Sequence, residues 1–460
     1  MALKRPAPPT APGPTGGVML RSIAEIRRDP LAFLTRMRGE FGDVVQFPIP
    51  DPPTYLVSDP EAARRVLVTN ARAYGKRTIQ YTTLSLVTGD GLLTADTEQW
   101  RPQRRLVQPA FHHESLELVS VHVRAAVDRL LDRWRDRDGK VVDLDEAMMH
   151  LALEVVGSAL FGSDLSADAD RLAKATIEAL DIVVKKARSP LSLPMGFPTP
   201  TNLVLRRAVR ALDNAVDAML AERTRNPLVA GQKPRDMLDL LLAVHDDGSA
   251  LSKREVRNQV ITFIVAGHET VASALTWAWQ LLATHPQVWD RLRAETAPVA
   301  AEHGPVFADL ARLPYTAAVL DEVLRLYPPA WLITRRSLTD DELAGVKVAA
   351  GSLLIVSPWL VHRHESLWVD PEQFRPERFL DEAGQRRRDL VAGAGYLPFG
   401  AGPRLCIGRD MALLEGVLVL AALAPRIELS PVGAAPVAMP LVTIRPQGGL
   451  PLRLRLLMAK

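Results

Sequence analysis

The sequence predicts a mainly α fold with a minor β region, and three observations carry that expectation. Apolar residues recur at helical spacing along most of the chain, longest over residues 252–284. Short runs of strand-like pattern, bounded by Pro, Gly and Asp, fall near residues 43–57, 330–357 and 439–456. The 460 residues contain no internal repeat and no linker clean enough to divide domains, so one large domain over 19–460 is expected behind a proline-rich, disordered arm over 1–18.

Composition narrows the function class. Apolar residues at 47% and charged residues at 24% are ordinary for a soluble globular chain. The net charge of +3, from 56 basic and 53 acidic residues, gives no electrostatic case for nucleic acid. The arm lacks the apolar centre of a signal peptide, and the apolar runs 260–266 and 417–424 fall short of the ~20 residues that span a bilayer. A cytoplasmic protein without a membrane anchor is therefore expected. The single cysteine, Cys406, excludes an intramolecular disulfide and a cysteine-cluster metal site, and fits a reducing compartment.

In chain order, residues 22–40 read as one helix, 43–47 and 54–57 as strands joined by Pro-Asp-Pro-Pro, and 60–69 as a helix. Residues 72–94 read as a long irregular loop ending in Gly89-Asp90-Gly91, and loops of that length are usually functional. A helix opens near Glu98, with Asp96 or Thr97 as its cap, and sets Trp100 and Arg104 on one face. Arg101, Arg105, His112 and His113 read as surface. Amphipathic helices follow over 116–135, 144–160, 166–187 and 203–225, interrupted by a proline-rich break at 189–200; a further loop covers 231–234.

Residues 252–284 open on a capping box, Ser252 with Glu255. Their middle is apolar over 260–266 and then turns abruptly to Gly267-His268-Glu269-Thr270, a poor choice for a buried helix interior. Broken local rules often mark function. Ala266 and Thr270 share a face: the first leaves room for a ligand, and the second can bond back to its i−4 carbonyl. Glu322 and Arg325, one helical turn apart among apolar neighbours, imply a buried ion pair that needs further hydrogen bonds, with Arg378 as the expected third member. After Pro328-Pro329 the chain reads extended, and 346–348 and 353–357 are expected to complete a sheet with the early hairpin. Residues 411–424 read as a buried helix and 450–456 as a strand.

The chain's chemistry concentrates at Cys406. Its thiol ends a loop rich in glycine and proline and precedes the 411–424 helix, so backbone N–H groups and the positive helix end favour thiolate. The pattern Phe399-x-x-Gly402-x-Arg404-x-Cys406-x-Gly408 resembles the heme-binding loop of the cytochrome P450 superfamily. Trp100-x-x-x-Arg104, Ala266-Gly267-x-x-Thr270, Glu322-x-x-Arg325 and Pro376-Glu377-Arg378-Phe379 resemble further motifs of that family, in its order, and the likeness covers about residues 20–460.

The resemblance implies a cytochrome P450 fold with heme between the long central helix and the cysteine-loop helix. It implies heme b, iron protoporphyrin IX, with Cys406 as axial ligand; a thiolate there favours O–O cleavage. Phe399 and Gly408 belong to that loop, and Trp100, Arg104, Arg335 and Arg404 are implied propionate contacts, with Arg336 competing with Arg335. Thr270, with Ala266, Gly267 and Glu269, is implied to handle O2 and protons, while His268 faces away from the iron. Glu322, Arg325 and Arg378 are structural. Residues 189–200 would form the lid of the substrate channel. The substrate pocket would include Ala330, Leu332, Leu441 and Val442, which suit an apolar small molecule such as a terpenoid, fatty acid or polyketide. His362 and Arg363 receive no catalytic role.

The implied reaction is monooxygenation by a soluble bacterial-type enzyme, a monomer of secondary metabolism. The chain ends soon after the cysteine, so a fused flavin or nicotinamide domain is not expected. Electrons would then come from a ferredoxin and ferredoxin reductase, for which Arg386-Arg387-Arg388 is a secondary docking candidate. Two alternatives make different expectations: a heme-thiolate enzyme that uses peroxide or no oxygen would often lack Thr270, and a heme-based ligand sensor would carry an output domain.

Overall fold

The computed structural model describes residues 10–49, 51–163, 169–187, 194–228, 232–243, 250–302 and 304–457. Residues 1–9 of the arm, 189–193 of the expected lid and Gly231 of the second loop lie outside the described residues. The chain forms two compact units interleaved in sequence.

The first unit comprises Met1–Thr78, Asp321–Arg375 and Arg387–Cys406. Its centre is a five-stranded sheet in the order Val44–Phe47, Thr54–Val57, Leu353–Val356, Ile333–Ser337 and Tyr74–Gly75. The early hairpin is antiparallel, with Val44 opposite Val57. Thr54–Val57 then runs parallel to Leu353–Val356, which pairs antiparallel with Ile333–Ser337. Tyr55, Val57, Leu354 and Val356 of the sheet and Val66 of the helical segment Arg65–Thr69 make the core of this unit, with β-branched and aromatic residues prominent on the pleated face. Residues of the arm meet the sheet: Thr10 hydrogen-bonds Gln46 and Tyr55, and Gln46 N–H donates to Pro12 O.

Two expectations change here. Residues 22–40 are not one helix but Ile23–Arg28 and Pro30–Phe41, preceded by Gly16–Arg21. Proline restricts the residue before it and starts a new helix at N1, and the Asp29 carboxylate caps that helix by accepting from Ala32 N–H at 2.9 Å. Val346–Val348 does not join the sheet; it pairs with Asp341–Leu343 in its own hairpin, closed by the left-handed pair Ala344-Gly345.

The second unit comprises Ile79–Leu320, Pro376–Arg386 and Ile407–Lys460. It is mostly helical, with a three-stranded sheet in the order Val141–Asp143, Pro451–Leu456, Ile427–Pro431. Residues 72–94, read as irregular, contain the strand Tyr74–Gly75 and the helix Ile79–Thr88. Its threonines disguised it: they favour turns and strands, but here Thr83 bonds back to Ile79 O at 2.7 Å, and Tyr81, Leu84 and Val87 are buried.

The long helix Lys253–Thr284 starts at the expected capping box. By length and composition it could cross a membrane, although its uninterrupted apolar runs are short; 83% of its most apolar window is buried. It packs against Leu144–Phe161, and a Cβ on Gly267 would stand 2.7 Å from Val156 Cγ2. That glycine therefore permits close helix–helix approach. The indole of Trp277 and the hydroxyl of Ser273 both donate to Ile444 O, at 2.9 and 2.7 Å, tying the strand Ile444–Pro446 to the same helix.

Candidate functional site

In the first unit the cysteine loop is held by its own backbone. Cys406 N–H donates to Phe399 O at 3.0 Å, and Gly400 N–H donates to Leu397 O at 3.0 Å. Gly402, at φ +67, lies where a Cβ would sit 2.0 Å from Leu67 O. The loop thus requires glycine here for both conformation and space. Gly402→Ala is expected to cost at least about 2 kcal/mol and to lower cofactor retention, read by thermal melting and heme content. Cys406 itself is exposed, although cysteine is among the most buried residue types. Phe399 and Arg404 are half-buried beside it in sequence.

The support of that loop starts at Glu322 and Arg325, both fully buried. Arg325 Nε and Nη2 donate to the two oxygens of Glu322 at 2.7 and 2.8 Å. Its remaining N–H groups reach the carbonyls of His362, Pro371 and Gln373 at 3.0, 2.6 and 3.1 Å. All five donors of the guanidinium are therefore met. Arg375 N–H donates to Glu322 Oε1 at 2.9 Å. Arg378 lies on the turn Pro376–Phe379 of the second unit, half-buried.

His362, given no role from sequence, links this pair to the loop. Its buried ring accepts from Leu397 N–H at Nε2, 2.7 Å, so its proton is on Nδ1, which donates to Arg325 O at 3.0 Å. Burial holds it neutral, its pKa lowered to about 3, and it stacks on Tyr396 at 5.5 Å. Only long-range contacts reveal this role; the sequence signal is a histidine within a buried turn.

Burial separates the two candidate arginines. Arg335 is buried and Arg336 exposed, on opposite faces of Ile333–Ser337. Arg335 donates to Thr334 O at 2.9 Å and pairs with no carboxylate among the described residues. A buried guanidinium calls for a counter-charge. Ala330 and Leu332, just before that strand, are half-buried.

In the second unit, Thr270 Oγ1 donates to Ala266 O at 2.8 Å, and both residues, with Gly267, are partly accessible on a stretch of the helix, 258–279, that is otherwise buried. Glu269 is buried and accepts from Thr443 Oγ1 at 3.0 Å. Burial raises its pKa to about 7, against the lowering effect of Arg445 and Thr443. His268 is fully buried and donates through Nδ1 to Ile264 O at 2.7 Å; burial lowers its pKa to about 4. Asp96 caps the helix Thr97–Val107, which places the Arg104 guanidinium 6.0 Å from the Trp100 ring. Leu441 and Val442 stand half-buried on the turn between Ala438–Pro440 and Ile444–Pro446. Gly408 caps the helix Arg409–Leu423, where a Cβ would meet only ordinary contact with Phe111. Thr443 was missed because a lone polar residue among apolar neighbours reads as turn chemistry.

The donor set suits a heme. No group of three or more His, Cys, Asp or Glu side chains that could hold a metal ion occurs among the described residues. An exposed thiol on a glycine-rich loop matches a metal that brings its other ligands with it, and the buried charge of Arg335 matches a propionate.

Comparison with known proteins agrees. A family model described as Cytochrome P450 matches residues 6–447. Cyclooctat-9-en-7-ol 5-monooxygenase of Streptomyces melanosporofaciens is 36% identical over 437 residues, covering 93% of this chain and 92% of the relative. Pentalenene oxygenase of Streptomyces avermitilis is 35% identical over 401 residues, covering 86% of each. The crystal structure of CYP175A1 from Thermus thermophilus superposes with a TM-score of 0.77 at 33% identity, covering 96% of this chain and all of that one.

Proposed function

The chain belongs to the cytochrome P450 family of oxygen-incorporating oxidoreductases, and from that premise we propose that it hydroxylates or epoxidises an apolar terpenoid-like hydrocarbon. Support for the substrate class comes from relatives named for cyclooctat-9-en-7-ol, cyclooctatin and pentalenene. The uncharged pocket candidates Ala330, Leu332, Leu441 and Val442 fit such a molecule. The single observation that carries the reading is the exposed Cys406 thiol, fixed by its own N–H on Phe399 O.

Residues 19–460 would act as the functional domain, with heme b as cofactor. When bound, heme supplies the iron at which O2 is activated. Cys406 Sγ would be its protein ligand. Trp100, Arg104, Arg335 and Arg404 would bind the propionates, for which the planar fork of arginine is suited. Phe399, Gly402 and Gly408 shape the loop. Ala266 leaves space beside the Thr270 hydroxyl, and the bond from Thr270 to Ala266 O fixes where that hydroxyl oxygen can accept a hydrogen bond. Glu269 can hold or release a proton near neutral pH, because burial has brought its pKa to about 7. Glu322 and Arg325, with Arg378, maintain the loop's support. Electrons would come from a ferredoxin and its reductase in the cytoplasm, with the run Arg386-Arg387-Arg388 as a secondary docking candidate, and the enzyme would work as a monomer.

Thr270→Val is expected to keep the fold and lower product formed per O2 consumed by at least about 100-fold, the lower end of the usual worth of a proton-handling group. Product and O2 measured together check it. The substrate class is tested by titrating the holoenzyme with cyclic terpenes and fatty acids and recording the low- to high-spin Soret shift. Turnover is then compared using NADPH, ferredoxin and reductase against peroxide alone. Shifts with terpenes and turnover with the electron chain are expected. Shifts confined to fatty acids, or turnover with peroxide only, would overturn the proposal.

A further inference from the structure

Behind the long helix lies a buried polar seam that the reaction as described does not use in full. The only hydrogen bond made by the Glu269 carboxyl among the described residues is the one from Thr443 Oγ1, at 3.0 Å. Thr443 is itself almost inaccessible. It closes the turn between Ala438–Pro440 and Ile444–Pro446, where Leu441 N–H donates to Thr443 O at 2.9 Å. The next residue is clamped to the long helix, since Ser273 and Trp277 both donate to Ile444 O. The residue after that, Arg445, pairs with Asp145 on Leu144–Phe161, and Thr276 completes the cluster through Asp145 Oδ1 at 3.5 Å. The strand is therefore fixed to both helices, and Thr443 is delivered to Glu269 by rigid structure.

A free glutamate side chain samples several rotamers, and one hydrogen bond from a fixed donor removes most of that freedom. We propose that Thr443 is a positioning residue for the reaction: its hydroxyl fixes the orientation of the Glu269 carboxyl, so the strand Ile444–Pro446 sets the geometry of the acid together with the helix that carries it. This rests on the reading of Glu269 as a proton-handling group.

The charged surroundings give the direction of the effect. Arg445 favours the ionised carboxylate, while Asp145 on the neighbouring helix opposes it. His268, on the same helix, is held neutral by burial. The Thr443 hydroxyl donates to the ionised form and so stabilises it. Deleting that donor moves the Glu269 titration to higher pH, whereas a serine keeps the donor and the titration.

The test uses heme-loaded protein carrying Thr443→Val, Thr443→Ala, Thr443→Ser and Glu269→Gln, each checked for its melting temperature. Difference infrared spectra between pH 5.5 and 8.5 identify the protonated Glu269 carboxyl as the band lost in Glu269→Gln. Its midpoint is expected to rise by about half to one pH unit in the Val and Ala variants and to stay in place in the Ser variant. The pH profile of product per O2 should move in step. Unmoved midpoints in Val and Ala, or a Ser variant that behaves like Val, would overturn the proposal. The infrared midpoint requires no turnover, so it decides this point even where the monooxygenase reading fails by having no thiolate-type spectrum.

Discussion

Arg325→Ala should destabilise the folded protein by about 3–5 kcal/mol, as expected when one partner of a buried ion pair is removed and the other is left charged in the interior. The environment of Glu322 is what makes the loss large. Its carboxylate keeps the Arg375 N–H, but it loses both bonds from the guanidinium, at 2.7 and 2.8 Å. Three backbone carbonyls, of His362, Pro371 and Gln373, lose their donors at once. The Trp368 ring loses the cation 5.2 Å from its centre. Because His362 connects Arg325 O to Leu397 N–H, the damage should reach the cysteine loop, and heme content should fall with stability. Arg325→Lys should rescue little, since a point charge with three donors cannot reproduce a five-donor planar fork. Urea denaturation and heme titration measure both effects. A loss under about 1 kcal/mol, the range of exposed ion pairs, would contradict the buried-network account.

Cys406→Ser should leave the fold near its wild-type stability and abolish monooxygenation. Cys406 is exposed, and its backbone bond, Cys406 N–H to Phe399 O, is one that serine can also make. A serine hydroxyl has a far higher pKa than a thiol and does not present a soft anionic ligand. Turnover should therefore drop to background, while melting of the cofactor-free protein shifts by only a few degrees, corresponding to about 1 kcal/mol or less. A serine variant that kept product formation with its electron donors would remove Cys406 from the chemistry.

The local arrangements that could be read from the chain are those encoded by short spacing. The loop 399–408, the Thr270 turn of the long helix, the Trp100 face and the Glu322–Arg325 pair each depend on spacing within a few residues. Burial along one strand separates Arg335 from Arg336, a difference that the dipeptide alone left open. The parts that could not be read depend on long-range packing. The helix Ile79–Thr88 contains threonines, of which Thr83 bonds back to its own helix backbone, and the proline at residue 30 splits an otherwise continuous helical pattern. His362 and Thr443 each act on a residue far away in sequence, at separations of 35 and 174 positions. Gly267 shows a second use that its motif did not suggest, the close approach of Leu144–Phe161. The interleaving of the two units likewise follows from contacts between segments distant in the chain.

The central claim is that Cys406 presents a thiolate to a heme iron. The most direct measurement is the absorption spectrum of the purified holoprotein, reduced with dithionite and saturated with CO. The account predicts a strongly red-shifted Soret band, the mark of a thiolate-ligated heme, which disappears in Cys406→Ser. A Soret band at the position of a histidine-ligated heme, unchanged by that substitution, would contradict it.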